Sequence, residues 1–318
     1  MTLDIIIPTF NRNDKLIALL KIITSTPCYD NVFFKVVDNC SDTPVLDTIK
    51  CNQPTLIDNK SLKIYRNASN VGLAGNIMRC FEYAESDWLW IIGDDDAISK
   101  ESIDLVLSTL NACNEGHGFV NFSSPWSSRT ETYNCPSLDS FTLQLDSFKN
   151  FIYLPTTVYR TEAIQKHLEI GYKYVHTLIP HFMLQLKVLE SGYGCLLCKE
   201  DVFRGNGERG SGGWSVLELQ LNKSQILNYA FQMSKASYKR LEKLIVLDRQ
   251  PLKIYAKMIV KDKKHPLHLK SRLIRSIFEE NRMLTLSKSH KERLSNMFYY
   301  LLSFKLSILM RFLKNKNG

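Results

Sequence analysis

Apolar and polar positions follow two periods over the first 125 residues. Leu3–Pro8 is a short apolar run with isoleucines at 5, 6 and 7, which predicts a buried central strand. From Asp14 to about Thr24 the residues Leu16, Leu19, Leu20 and Ile23 fall on one face at helical spacing. Val32–Asp38 and Leu62–Arg66 predict a second and a third strand, Gly72–Glu85 a helix and Trp88–Ile92 a fourth strand. Ser99–Leu110 reads as a helix with Ser99 or Ser102 as N-cap, and Gly118–Phe122 as a fifth strand. Strands and helices taking turns at this spacing predict an α/β fold with right-handed crossovers and a mostly parallel sheet flanked by helices. Residues 123–150 are rich in Ser, Thr and Pro, show no period and predict a surface loop or insertion. Order resumes with a strand at Thr157–Arg160, a helix at about 161–169, an apolar helix at Ile179–Ser191 and a strand at Gly194–Val202. Gly205–Gly213 holds five glycines in nine residues, and from Trp214 the pattern is helical and basic. The predicted organisation is a domain over 1–213, in two halves (1–122 and 123–213), and a basic helical region over 214–318.

Polar residues collect where the predicted strands end. In an open parallel sheet, ligands bind beyond the carboxyl ends of the strands. The first ends in Pro8-Thr9-Phe10-Asn11-Arg12 and the second in Asp38-Asn39-Cys40-Ser41-Asp42. The third ends in Arg66-Asn67-Ala68-Ser69-Asn70-Val71-Gly72 and the fourth in Gly93-Asp94-Asp95-Asp96. Three adjacent carboxylates repel one another, and a hard divalent cation such as Mn2+ or Mg2+ would relieve that, sharing its sphere with substrate phosphates. The plainer reading is a solvated acidic turn before the Ser99 helix. Gly72 and Gly75, with Asn70 and Asn76, mark a helix entry where backbone N–H groups suit an anion. Asp38 fits an acceptor for a base N–H or a ribose hydroxyl, or equally a cap for the following turn.

Composition narrows the class. The chain has 318 residues, 44% hydrophobic and 23% charged, which excludes disorder and small disulfide scaffolds. Eight cysteines behind an N-terminus with no signal-peptide pattern predict reduced thiols in the cytoplasm. Cys195 and Cys198 form a CxxC, but no second pair stands at zinc spacing and the setting is an apolar strand. The net charge of +9 conceals a split: residues 221–318 hold 22 Lys/Arg against 6 Asp/Glu. That predicts a region facing an anionic partner.

IPTFNR at 7–12, VVDNCSD at 36–42, NASNVGLAGN at 67–76 and IIGDDD at 91–96 resemble, in order and spacing, the sequence blocks of the family-two inverting glycosyltransferases. The resemblance is specific over residues 3–110, weaker over 150–205 and absent after about 215. It implies a GT-A fold, with a Rossmann-like nucleotide-sugar half at 1–122 and an acceptor half at 123–213. It implies that Pro8, Thr9, Asn11, Arg12, Asp38, Asn70, Gly72 and Asn76 line a pocket for a nucleotide-diphosphate sugar. Asp94 and Asp95 would touch the donor, and Asp95 and Asp96 would hold the metal. The family pattern is D-x-D-D, and Gly93 stands at its first place. The family's catalytic aspartate precedes an L-x-L-R-L-like stretch and Gly-Tyr. Here Leu184, Leu186, Lys187, Val188, Gly192 and Tyr193 match that stretch, and His181, after Pro180, occupies the aspartate's slot. A neutral imidazole can take a hydroxyl proton, so His181 is a candidate base, with His176 as its rival and a packed histidine as the plainer reading. Arg204 and Arg209, on the glycine-rich segment, could close over a diphosphate or simply lie on a surface loop.

Met297–Leu313 is apolar and aromatic but interrupted by Lys305 and Arg311, which predicts a helix lying on an anionic bilayer or one packed in a core. With the resemblance, these features predict a glycosyltransferase peripheral on the inner face of the cytoplasmic membrane. It would pass a sugar to a glycan or lipid-linked oligosaccharide in bacterial O-antigen or capsule assembly. A nucleotidyltransferase would want a Gly- and Lys/Arg-rich loop where PTFNRND stands. Nucleic-acid binding would want a basic module with exposed aromatics, and no such module is seen. An inactive, nucleotide-binding relative is the remaining alternative.

Overall fold

The computed structural model describes residues 1–25, 30–56, 61–96, 98–202, 218–219, 222–247, 252–261, 266–280 and 289–316. The chain divides into two compact units, Met1–Gly213 with Phe231–Ser237, and Trp214–Ala230 with Tyr238–Gly318.

The first unit is built on strands β1 (Leu3–Thr9), β2 (Val32–Asp38), β3 (Leu62–Arg66), β4 (Trp88–Ile91), β5 (His117–Ser123), β6 (Tyr133–Cys135), β7 (Thr157–Arg160) and β8 (Gly194–Asp201). They form one sheet in the order β3-β2-β1-β4-β7-β5-β8-β6. The pairs β3-β2, β2-β1, β1-β4 and β5-β8 are parallel, while β7 runs antiparallel to both β4 and β5, and β6 antiparallel to β8. The sheet is therefore mixed, parallel from β3 to β4 and interrupted beyond it. β1, β4 and β5 are buried along their whole lengths, as continuous apolar runs covered on both faces must be.

Helices α1 (Asn13–Ser25), α2 (Val45–Asn52), α3 (Gly72–Glu82) and α4 (Lys100–Asn111) connect the parallel strands. Ser99 caps α4: its hydroxyl accepts from the Ser102 N–H, and the Ser102 hydroxyl accepts from the Ser99 N–H. The chain runs β1 to β2 to β3 in one direction and then returns to place β4 on the other side of β1. That reversal opens a crevice at the carboxyl ends of β1 and β4.

Residues 123–150 are not a surface loop. They hold β6, α5 (Leu138–Gln144) and most of α6 (Phe148–Ile152), and they bury Phe141 and Phe148. Their apolar residues are spaced for several short elements, too short for either period to show. Two short helices, α7 (Thr161–Gln165) and α8 (Leu168–Lys173), replace the single one expected at 161–169, and α9 spans Pro180–Glu190.

In the second unit, helices Leu252–Lys261, Leu267–Glu280 and His290–Lys316 share a core of Leu252, Tyr255, Ile259, Ile277 and Phe278. Among the described residues no helix is long and apolar enough to cross a membrane. The described cysteines are free thiols, Cys195 and Cys198 among them, both buried in β8.

Candidate active site

Strand register brings the first polar residues together. Thr9 pairs with Asp38 across β1 and β2, and Asp38 with Arg66 across β2 and β3. The ladder continues past the strand ends: the Asn39 N–H donates to the Thr9 carbonyl, and the Asn67 N–H to that of Asp38, each at 2.9 Å. Loops leaving this edge are held by side chains. The Asn11 N–H donates to Ser41 Oγ at 2.9 Å, Asn11 Nδ2 donates to Asp42, and the Asp42 N–H returns a bond to Asn11 Oδ1. Asn11 has φ 53°, a left-handed conformation that asparagine tolerates better than most residues.

The acidic turn closes the crevice between β1 and β4. Thr9 Oγ1 donates to Asp94 Oδ2 at 2.6 Å. The Arg12 guanidinium forks across two carboxylates, 2.7 Å from Asp94 Oδ1 and 2.9 Å from Asp95 Oδ2, with Lys15 Nζ 3.8 Å from the same Asp95 oxygen. Asp96 folds back, its Oδ2 accepting from the Gly93 N–H and its Oδ1 from the Tyr153 hydroxyl at 2.7 Å. This accounts for the glycine at 93: a Cβ there would lie 2.9 Å from Asp96 Oδ2 and 3.0 Å from Asp95 Oδ1. Burial pushes the Asp96 carboxyl up to about 6, against the bonds from Tyr153 and Gly93. Burial raises Asp94 too, opposed by Thr9 and Arg12. A cleft of about 480 Å³ lies alongside, lined by Asn11, Arg12, Asn13, Asp14, Lys15, Asp42 and Thr43.

Several residues expected to face a ligand instead hold the scaffold. Asp38 is buried, and both carboxylate oxygens are engaged: Oδ1 by the Ser41 N–H, Oδ2 by the Val45 N–H and by Arg66. Burial alone would raise its carboxyl, but these bonds outweigh it and hold the group below the usual carboxylate range. The capping reading of Asp38 is the one the structure carries. Asn76 is buried as well, accepting from Asn67 Nδ2 and donating to the Val37 carbonyl, so it braces the β2 end. Asn70 Oδ1 accepts from Asn39 and from the N–H of Gly72, which takes φ 75° at the mouth of α3. Pro8 is buried within β1.

His181 also changes role. It is fully buried on α9, and its Nε2 lies 3.1 Å from the Ile152 carbonyl. Burial draws its imidazolium down to about 4. Without an exposed nitrogen it cannot meet an acceptor hydroxyl, so the packed reading replaces the catalytic one. His176 is exposed on the turn Val175–Thr177, its ring stacked on Tyr174 with centroids 5.9 Å apart. Arg204 and Arg209 lie outside the described residues.

Sequence reasoning missed Arg66, Ser41 and Asn39, which tie the β2 and β3 ends together, and Tyr153. Arg66 stood in plain view as the last residue of a predicted strand. Tyr153 is 57 positions from Asp96 and sits between the segment without a period and the strand expected at Thr157, so no local signal marks it.

A carboxylate set of this kind suits a hard cation that takes much of its sphere from phosphates and water. Asp95 Oδ1 takes no hydrogen bond from the described residues, which leaves one oxygen for such a ligand. Among the described residues there is no group of three His, Cys, Asp or Glu arranged to hold a metal by themselves.

The comparisons agree with this geometry. The sequence profile of "Glycosyl transferase family 2" matches residues 4–166. Abequosyltransferase RfbV of Salmonella typhimurium is 24% identical over 215 residues, covering 62% of this chain and 63% of that relative's own length. The fold is similar to that of S. aureus TarS 1–349 in complex with UDP-GlcNAc, at TM-score 0.64 and 16% identity over 98% of this chain and 92% of that one. Against S. aureus TarS itself the TM-score is 0.61 at 16% identity, over 94% of this chain and 54% of that one. With a profile match over more than half its length, laid on a GT-A sheet whose carboxyl edge carries the acidic turn, this chain belongs to glycosyl transferase family 2.

Proposed function

We propose that the protein is an inverting glycosyltransferase that takes a sugar from a nucleotide-diphosphate donor and passes it to a hydroxyl of a glycan, lipid-linked, in bacterial surface polysaccharide assembly. The observation that carries this reading is the joined Thr9–Asp94 and Arg12–Asp94/Asp95 contacts at the switch point of the sheet. The O-antigen setting is supported by the relative named an abequosyltransferase, and a nucleotide-sugar donor by the TarS complex with UDP-GlcNAc.

Arg12 is the residue placed to answer the donor's charge. Its side chain is 30% exposed at the cleft, and its charge is shared by two carboxylates, so it can turn one donor edge towards a phosphate. Thr9 holds Asp94 in place as this happens, and Tyr153 holds Asp96. Mn2+ or Mg2+ held by Asp95 with the donor's phosphates would supply further charge for the departing diphosphate. The acceptor oxygen bonds to the anomeric carbon from the face opposite the diphosphate, the bond to the diphosphate breaks, and configuration inverts. His176, exposed on a turn that packs against α3, is the remaining candidate to take the hydroxyl proton.

The test is thermal stability against a panel of nucleoside diphosphates and their sugar conjugates, with and without Mn2+. Stabilisation by one nucleotide, enhanced by Mn2+ and lost in Asp95→Ala, is expected. No shift with any nucleotide in either condition would sink the reading.

Membrane docking is proposed for the second unit. The helix His290–Lys316 turns Asn296 and Ser303 inward, both buried, and leaves Leu294, Met297, Phe298 and Leu301 exposed. That is the reverse of a helix made for water, and exposed Lys291, Arg293 and Lys305 flank the apolar stripe. Full-length protein should sediment with phosphatidylglycerol vesicles and not with phosphatidylcholine alone. Phe298→Asp should abolish this; equal binding of both proteins would refute it.

A further inference from the structure

The end of β5 carries polar residues, as the ends of β1 to β4 do, and an aromatic one. β5 runs parallel to β1, β2 and β4, since the antiparallel β7 between β4 and β5 restores the direction. Its carboxyl end therefore opens on the same edge as the acidic turn. There the chain continues as Ser124-Pro125-Trp126. Trp126 is 37% exposed, whereas Trp88 and Trp90 are buried.

The loop that presents it is pinned from below. Arg129, with its side chain 1% exposed, donates to the Asn121 carbonyl and side chain and to the Phe122 carbonyl. Buried Asn150 accepts from Ser124 Oγ and donates to Asn121 and to the Phe122 carbonyl. Asp146 Oδ2 takes the Ser127 hydroxyl at 2.6 Å and the Ser128 N–H at 2.8 Å. A mere connection between β5 and β6 needs no buried arginine. Burying a guanidinium is unfavourable unless it is hydrogen-bonded and paired, and these bonds tie the loop that carries the indole to the end of β5.

The indole meets the site through Tyr153. The two rings are edge to face, with centroids 5.1 Å apart at 83°. The same Tyr153 donates its hydroxyl to Asp96. An edge-to-face contact leaves at least one indole face uncovered by the tyrosine. An open aromatic face one residue removed from the acidic turn matches the C–H face of a pyranose ring, which is apolar, flat and rimmed by hydroxyls.

We propose that Trp126 is the stacking platform for a sugar ring in this site, a pyranose of the donor or of the acceptor. The inference rests on the glycosyl-transfer reading and names the residue that binds the sugar rather than the nucleotide.

The experiment compares Trp126→Ala with wild type, using the nucleotide sugar that stabilises the protein best and the matching nucleoside diphosphate. If the donor's ring stacks there, the variant binds the diphosphate as wild type does and loses about tenfold in affinity for the sugar conjugate, with Trp126→Phe recovering part of it. If the acceptor's ring stacks there, both donor affinities are unchanged and the KM for a membrane extract of lipid-linked acceptor rises by about tenfold. Either result supports the platform. Equal loss for diphosphate and sugar conjugate would overturn it, because Trp126 would then act only through Tyr153 on Asp96. Wild-type values in every measurement would overturn it as well, while leaving the transferase reading intact. If no nucleotide binds wild type, the transferase reading fails first and takes this inference with it.

Discussion

Replacing His181 with glutamine keeps an N–H donor near the place of Nε2, within reach of the Ile152 carbonyl, and removes the titration. In the folded protein burial draws the His181 imidazolium down to about 4. In the unfolded chain the same group titrates near ~6.5. The folded state thus keeps the ring neutral while the unfolded state takes a proton, and stability is lost as pH falls from 6.5 towards 4. At about 1.4 kcal/mol per unit, this one group removes roughly 2 kcal/mol between pH 7.5 and pH 5. Asp96 acts in the opposite sense: its carboxyl is raised to about 6, so the folded state binds that proton first and gains stability over the same range. The total for wild type is therefore a poor readout, and the difference between variant and wild type is the useful one. Urea unfolding at pH 7.5 and at pH 5 should show His181→Gln gaining roughly 2 kcal/mol relative to wild type at the lower pH. A constant difference would refute the buried assignment. The same variant should keep its transfer rate within a few-fold. A loss of about a hundredfold or more in a folded protein would return His181 to the chemistry.

Three further outcomes test the acidic turn and its frame. Gly93→Ala places a methyl 2.9 Å from Asp96 Oδ2, so nucleotide affinity measured by calorimetry should fall by about tenfold, and the protein should lose about 1–3 kcal/mol of stability as the buried carboxylate is displaced from its bonds. Tyr153→Phe leaves Asp96 Oδ1 without its donor, destabilising the protein by about 1–3 kcal/mol at pH 8 and by less at pH 5, where the carboxyl is protonated; an equal loss at both values would count against the bond. Arg66→Met weakens the support of Asp38, whose stabilisation is present above its unfolded value and lost as pH falls through the lower folded one. The variant should be roughly 1 kcal/mol less stable at pH 7, with the gap narrowing as pH falls below the unfolded carboxylate value, followed by circular dichroism.

The parallel half of the fold was legible because its strands and helices are long enough to show a period. Ile5, Ile6 and Ile7 announce a strand buried on both faces, and Leu16, Leu19, Leu20 and Ile23 a helix lying on it. Asp94 to Asp96 were legible for a related reason: they follow β4 directly, and the end of a buried strand is where the chain must come out to polar surroundings. Their partners Thr9 and Arg12 could be named as neighbours because they stand at another strand end, although the donor and acceptor of each bond could not. Residues 123–156 were not legible. β6 is three residues long and α6 five; β7 stands where a strand was expected, at Thr157–Arg160, but its antiparallel direction was not expected. Elements this short give neither period enough turns to register.

At the histidine slot the role expected from the sequence and the role in the structure part company. His181 stands where the family's aspartate is expected, and α9 does begin one residue before it. Yet the ring is turned into the protein, onto the carbonyl of the last residue of α6. The next residue, Tyr153, reaches Asp96, and the Trp90 indole N–H bonds the Pro155 carbonyl two residues further on. The stretch 152–155 is thus held at three points, by α9, by the acidic turn and by β4. Position 181 and the acidic turn are parts of one frame, so a substitution at either will be felt at the other through Tyr153. If that frame is real, His181→Ala should weaken nucleotide binding without touching the nucleotide, whereas His181→Gln, which keeps the bond to Ile152, should not. Equal affinities in the two variants would mean that the slot is mere packing.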